Sequence, residues 1–390
     1  MIQALLSNRN RPDMPPVPVC FPIGDYAGIY ENLKSIGIGN IAVRDCFVSE
    51  LSGDYPILER LEETEINVDE LDYLAKRLES FDKYELAQFQ GTVTSRDLSD
   101  MTDLINLTFC CQSVTVIQDF TDLTSTGKKH YMNLHGGLTE DDLKSVDFRK
   151  IALSLLLDEE CTVTPYGVVY ENGMKLELYY DGLYFPDYRY SGDTLLTVAV
   201  TDRSLPEDTK DIAWLYLPAA DCQIERALLR AGIQDEDMRL QYDDSELPAA
   251  LVDLMGTEEN LYELNRLCIR FQELDDGNRQ KAEAVLQMAS PADLIQARKL
   301  LSQLDLFDFT PGISTPAEYG RYMIMESGHF DYDSELDAYY DFKKYGEQRI
   351  AGEHGQFTET GYVSYHGFVS IEEVMEGIET ERMNMTMGGM

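Results

Sequence analysis

One stretch that occurs twice constrains this chain more than any other feature. Residues 260–276, NLYELNRLCIRFQELDD, repeat the pattern of residues 67–82, NVDELDYLAKRLESFD. Val68, Leu71, Leu74 and Leu78 recur at spacings of three and four in one, as do Leu261, Leu264, Leu267 and Phe271 in the other. Both predict amphipathic helices with one face in a core. On the opposite face of the first, Asp69, Asp72, Lys76 and Glu79 form a row expected to face solvent. Glu259, Glu263 and Glu273 are expected to meet water in the second.

The match extends beyond the helices. Phe21-Pro22 lies over Leu217-Pro218, Leu33 and Gly37 over Leu229 and Gly232, Arg77 over Arg270, Asp97-Leu98 over Asp293-Leu294, and Tyr131-Met132 over Tyr322-Met323. The offset stays between 191 and 196, far longer than a solenoid period, so it predicts a duplicated module.

Charge decides which partners such a module can have. The 390 residues carry 71 acids and 32 bases, a formal charge of −39, and no run of Lys or Arg is present to neutralise phosphates. Direct binding to nucleic acid is therefore excluded. The acid is not confined to a tail: residues 235–276 hold 13 acids and 3 bases, residues 45–85 hold 13 and 4. Hydrophobic content of 44% still supports real cores in two or three domains. Seven scattered cysteines without CxxC spacing fit a reduced, cytoplasmic chain. Neither a signal-peptide pattern nor a membrane-length apolar run is visible.

Taken in order, residues 1–18 read as a polar lead-in. A first unit over 19–135 alternates a strand at 20–23, a helix at 26–36, a strand at 41–48, the acidic helix, a helix at 98–107 and a strand at 113–120. Residues 136–210 read as an insert: one amphipathic helix at 140–157, then a small antiparallel sheet with a hairpin turn at Glu171-Asn172-Gly173. A second unit spans 211–367, and 368–390 form an acidic, Met/Gly-rich tail. Irregular alternation of helices and strands predicts an α+β chain.

The second unit resembles the ArdA antirestriction proteins. The likeness is carried by Tyr340-Asp341-Phe342-Lys343-Lys344-Tyr345-Gly346, by Gly355-Gln356-Phe357-Thr358-Glu359-Thr360-Gly361-Tyr362, by residues 260–267, and by Glu318-Tyr319-Gly320-Arg321-Tyr322. The first unit is similar over 19–135 but lacks the closing Tyr-Gly and Gly-Phe-Thr element, like a truncated copy. The resemblance implies an elongated, acidic chain of three-domain α+β units. It also implies a protein that mimics bent B-form DNA and occupies the DNA groove of type I restriction-modification enzymes, commonly as a dimer. Two units on one chain leave open a homodimer or an intramolecular pair.

Elementary geometry limits how such mimicry would work. B-DNA presents one charge per roughly 1.7 Å of axis, whereas carboxylates every three or four residues on a helix give about one per 5 Å. One helix is insufficient, and several acidic elements side by side are required. The phosphate-mimic candidates are Glu62, Glu63, Asp69, Asp72, Glu79, Asp235, Glu236, Asp237, Asp243, Asp244, Glu258, Glu259, Glu263, Asp333 and Asp337. Taken singly, each also reads as an ordinary solvated or capping acid, and adaptation to high salt would equally give an acidic surface.

Enzyme motifs do not compete. Gly37-Ile38-Gly39-Asn40-Ile41-Ala42 fits a dinucleotide fingerprint in letters, but it follows a helix and enters a strand, so it reads as a helix stop and turn. Asp331-Tyr332-Asp333 begins like a calcium loop, but Leu336 stands where glycine is needed. The five histidines show no metal spacing, and no cofactor or metal is expected. The rival readings are an acidic scaffold or chaperone for a basic DNA-processing or conjugation protein, an inhibitor of another DNA-binding nuclease, and a hydrolase with buried carboxylates.

Overall fold

Strict alternation of Ile2, Ala4 and Leu6 sends these side chains to one face of a strand, β1 (Ile2–Ser7). The segment expected to be a polar lead-in is thus an inner strand of a sheet. In this computed structural model the described residues are 1–157, 160–174, 177–234, 237–255, 260–333, 335, 337 and 339–377. They fold as mixed helices and small antiparallel sheets, an α+β architecture. The chain divides into two units: Met1–Tyr190 with Val200–Trp214 and Ala220–Met238, and Ser191–Ala199 with Leu215–Ala219 and Arg239–Met390.

In the first unit β1 pairs with β2 (Val17–Phe21) and β3 (Cys46–Gly53), and β3 with β4 (Glu65–Ile66), in the order β2-β1-β3-β4. Between β2 and β3 lies α1 (Tyr26–Ser35), which ends before Gly37 and Gly39, at φ of 77° and 88°. Only glycine adopts these values readily, so the helix-stop reading holds. Residues 41–45 are not strand. Asp45 accepts from the Gly39 and Asn40 amides while the Asn40 side chain accepts from Ala42 and Val43, and these local bonds outcompete a ladder.

After β4 come α2 (Val68–Glu79), α3 (Lys83–Ser95) and α4 (Met101–Leu107), each N-capped by an Asn or Asp side chain. Leu71, Leu74 and Leu78 of α2 pack into one core with Leu6, Phe21, Leu33, Val48, Phe89 and Leu104.

Residues 123–171 differ from the expected elements in two places. The predicted single helix over 140–157 is two, α6 (Glu140–Ser145) and α7 (Phe148–Leu156), because Asp147 caps a new start. Helix α7 packs on α5 (Leu123–His135), where a Cβ on Gly127 would lie 1.8 Å from the Phe148 carbonyl oxygen. Strands β6 (Cys161–Thr164) and β7 (Gly167–Glu171) then join β5 (Val114–Ile117) in the order β5-β7-β6. The hairpin turns at Pro165-Tyr166; Asn172, expected to turn it, hydrogen-bonds to Gln112 and Ser113.

The Tyr-rich residues 179–190 form no strand. They lie along α2, with Tyr73 stacked on Phe185 at 4.8 Å, the Tyr73 hydroxyl donating to the Pro186 carbonyl, and Arg77 over the Tyr188 ring. Helix α8 (Asp221–Ala231) also belongs to this unit.

Strands β8 (Leu196–Asp202), β9 (Ala213–Leu217) and β10 (Met238–Ser245) form a sheet in the order β10-β8-β9. The second unit continues with α9 (Ala249–Met255), α10 (Leu261–Gln272), α11 (Asp276–Ala289) and α12 (Leu294–Leu301), whose buried residues include Leu261, Leu264, Leu267, Phe271, Leu286 and Leu300. Next come β11 (Phe307–Pro311), α13 (Pro316–Met325), α14 (Phe342–Glu353), β12 (Gln356–Phe357), β13 (Gly361–Tyr365) and α15 (Ile371–Glu376). The sheet order is β11-β13-β12, and a Cβ on Gly320 would lie 2.0 Å from the Phe342 carbonyl oxygen. Both Phe21-Pro22 and Leu217-Pro218 are cis. Among the described residues no helix is long and apolar enough to cross a membrane.

Candidate partner-binding surface

Asp69, Glu70 and Asp72 of α2 are used inside the first unit, which corrects the expected exposure of Asp69 and Asp72. Asp72 is 4% exposed and accepts from the Ile23 amide at 2.7 Å, the Tyr26 hydroxyl at 2.8 Å and the Lys76 ammonium at 2.8 Å. Burial, then the Asp72 carboxylate, push the Tyr26 hydroxyl far above its ordinary range. Asp69 accepts from the Tyr30 hydroxyl at 2.7 Å and from Arg226 at 3.0 and 2.7 Å, with Arg230 at 3.3 Å. Both arginines stand on α8, four residues apart and so on one face. Glu70, 3% exposed, receives Arg44 and the Tyr180 hydroxyl. Arg44 also reaches Asp100; burial works against that carboxylate's charge, but the Arg44 hydrogen bond prevails and holds it below the usual range. The physical reason is desolvation: a half-buried carboxylate persists only with partners. Here the partners come from segments remote in sequence.

Helix α10 repeats the correction. Glu263 is 7% exposed and bound by Arg266 and by Arg298 at 3.2 Å. Asn265 stands where α2 has Asp72, and accepts from the Ala219 amide as Asp72 does from Ile23. Glu273 is exposed, as expected.

Other candidates do reach solvent. Glu62 and Glu63 are exposed at the turn before β4, Glu63 with a left-handed φ of 62°. Glu79 is exposed at the end of α2 and accepts from the Tyr190 hydroxyl. Asp237 is exposed, and so are Asp243 and Asp244 on β10. Asp333 is exposed; Asp337 is half-buried and receives Arg321 at 3.2 Å and the Tyr332 hydroxyl at 2.7 Å. Asp235, Glu236, Glu258 and Glu259 lie outside the described residues.

The single-residue candidates leave out the neighbours of Glu62 and Glu63, although Glu59 and Glu65 fall in the acidic stretch 59–72. Glu50, Glu59 and Glu65 are exposed on the same β3-to-β4 segment, and among the described residues none of them has a basic side chain as an ion-pair partner. Their signal was present as local acid density. The bases that would neutralise such a surface are drawn inward: Arg230 is buried, Arg226 mostly so, and Arg77 reaches the Thr108 carbonyl. Among the described residues no group of three or more His, Cys, Asp or Glu is placed to hold a metal ion.

Residues 212–364, well under half of the chain, match the family model described as antirestriction protein (ArdA). The match supports an antirestriction function in general. No curated protein matches it.

Proposed function

From the ArdA-type region at residues 212–364, we propose that the chain is a DNA-mimic inhibitor of type I restriction-modification enzymes, non-catalytic and acting in the cytoplasm of a cell that carries a mobile element. It would occupy the enzyme's DNA groove with carboxylates in place of phosphates. The observation that carries this reading is the sorting of charge: arginines are spent on internal carboxylates, while Glu50, Glu59, Glu62, Glu63 and Glu65 stay outside. A groove built to release counterions from DNA gains the same electrostatic reward from a fixed array of carboxylates, with fast, salt-sensitive association.

The reading extends to two copies of one module. The orders β5-β7-β6 and β11-β13-β12, each with a glycine-tight helix pair, support it. On this reading α7, β6 and β7 are the first copy's own closing element, and each copy carries a mimic surface.

The test is competition between this protein and duplex DNA for a purified type I enzyme across a salt series. Inhibition should weaken steeply with salt. Reversing Glu50, Glu59, Glu62, Glu63 and Glu65 together should abolish it, while each single alanine changes it little. Complete loss from one alanine, or inhibition indifferent to salt, would refute a distributed mimic. Recovery of a basic DNA-processing protein with no effect on restriction would favour the scaffold reading.

A further inference from the structure

Tyrosine and carboxylate recur in this chain as a pair, the ring hydroxyl donating to the acid, and such pairs hold bases. Tyr30 donates to Asp69, and Arg226 bonds to that carboxylate at 2.7 Å while its guanidinium lies 4.2 Å from the Tyr30 ring centre. Tyr26 donates to Asp72, and Lys76 takes the same two positions, 2.8 Å from the acid and 5.2 Å from the ring. The arrangement offers a cation a carboxylate and the negative face of a π system side by side. A planar guanidinium uses both fully, because it stacks on the ring and forks onto the acid.

The pair Tyr179–Glu177 has this form without a base. The hydroxyl donates at 2.6 Å, and both residues are exposed, Tyr179 at 50%. The ring touches Phe109, 5.2 Å away, and among the described residues no basic side chain pairs with Glu177 or lies over Tyr179. Two similar pairs are already used. Glu79, bonded by Tyr190, has the amino terminus 3.6 Å away and Lys76 over the ring, and the Tyr131 ring beside Asp142 is packed by His135 and Phe148. The backbone at Tyr179 is pinned. Asn106 on α4, 5% exposed, accepts from the Tyr179 and Tyr180 amides at 2.8 Å each and donates to the Tyr180 carbonyl. Glu177, Leu178 and Tyr179 therefore project from a fixed strip, Leu178 at 80% exposure, and little ordering remains to be done on binding.

We infer that Glu177 and Tyr179 form a subsite for an arginine side chain presented by a basic protein partner, with Leu178 flanking it. Charge complementarity draws such a surface to a chain of −39, and the ring beside the acid makes arginine a better occupant than lysine. The subsite stands on this geometry alone. That the arginine belongs to the DNA groove of a restriction enzyme rests on the function proposed above.

Nuclear magnetic resonance of the full chain with labelled tyrosine rings tests it, the Tyr179 signal being assigned through Tyr179→Phe. Tetra-arginine amide and tetra-lysine amide are titrated in turn at matched ionic strength. Both peptides meet the acidic surface, but the arginine peptide should move the Tyr179 signal saturably and with an apparent affinity about fivefold tighter than the lysine peptide. Glu177→Gln, at an exposed position, should remove most of that advantage at Tyr179 with an unchanged circular dichroism spectrum. Equal affinities for the two peptides at this signal, no movement with either, or a folded Glu177→Gln chain that keeps the full preference overturns the proposal. Should Glu177→Gln fail to fold, the comparison of the two peptides on the wild type decides alone. No restriction enzyme enters the measurement, so its outcome and that of the inhibition assay are separable.

Discussion

Asp69 and Glu63 are both acids beside an acidic helix, yet they have opposite roles. Asp69 holds Arg226 and Arg230, so Asp69→Ala leaves two largely buried guanidinium groups without their counter-charge. The expected cost is about 3 kcal/mol in urea unfolding, and Glu63→Ala, at an exposed turn, should stay within roughly 0.5 kcal/mol. If the two variants unfold at the same urea concentration, the internal role assigned to Asp69 is wrong. His130 gives a pH dependence. It is half-buried on α5 with its Nδ1 2.8 Å from the Thr115 hydroxyl, and burial lowers its pKa below the ordinary value of 6.5. The folded chain therefore favours the neutral ring, and its contribution is fully present above the unfolded pKa. It is lost as pH falls from there toward the folded value. The difference in melting temperature between His130→Gln and wild type should shift in the variant's favour over that interval; a difference constant with pH counts against it. Why Asp69 and Asp72 were misjudged is visible at this scale. Helical spacing placed them off the leucine face correctly, but nothing in residues 67–82 announces arginines about 160 positions later.

Elements are set by caps and glycines as much as by periodicity. Gly127 and Gly320 each sit where a methyl group would strike the carbonyl oxygen of a facing phenylalanine, Phe148 or Phe342. Gly127→Ala and Gly320→Ala should each destabilise by about 1–3 kcal/mol through overpacking, read by thermal unfolding, although alanine is the better helix former. A neutral or stabilising result would mean these helices do not cross so closely. Helices α2 and α10 were legible because their apolar spacing and Asn caps agree. The helix over 140–157 was misread because Leu153 and Leu157 extend an apolar pattern through Asp147, a cap that restarts the helix. The hairpin was misplaced because Asn172-Gly173 is the stronger local turn signal, yet Asn172 is claimed by Gln112 and Ser113, whereas Thr164 and Gly167 close the turn used.

For the whole molecule, net charge weighs on stability in a way that no single residue reveals. A chain of −39 is held together against its own repulsion, so raising ionic strength from low to moderate should raise its melting temperature, with sodium chloride and potassium chloride acting alike. A fall in stability with salt would mean that internal pairs such as Asp69–Arg226 outweigh the repulsion. What the sequence by itself determined was the mixed α+β class, the amphipathic helices at 68–79 and 261–272, the acid excess and the likeness to an antirestriction family. All of these depend on local spacing, composition or letter-by-letter similarity. Tertiary structure alone decided which carboxylates face water, that Ile2–Ser7 is a central strand, and that residues 148–171 return to the sheet of Val114–Ile117. Each of these is a pairing between segments far apart in the chain. Burial, desolvation and strand partnership belong to such pairs and to neither segment alone.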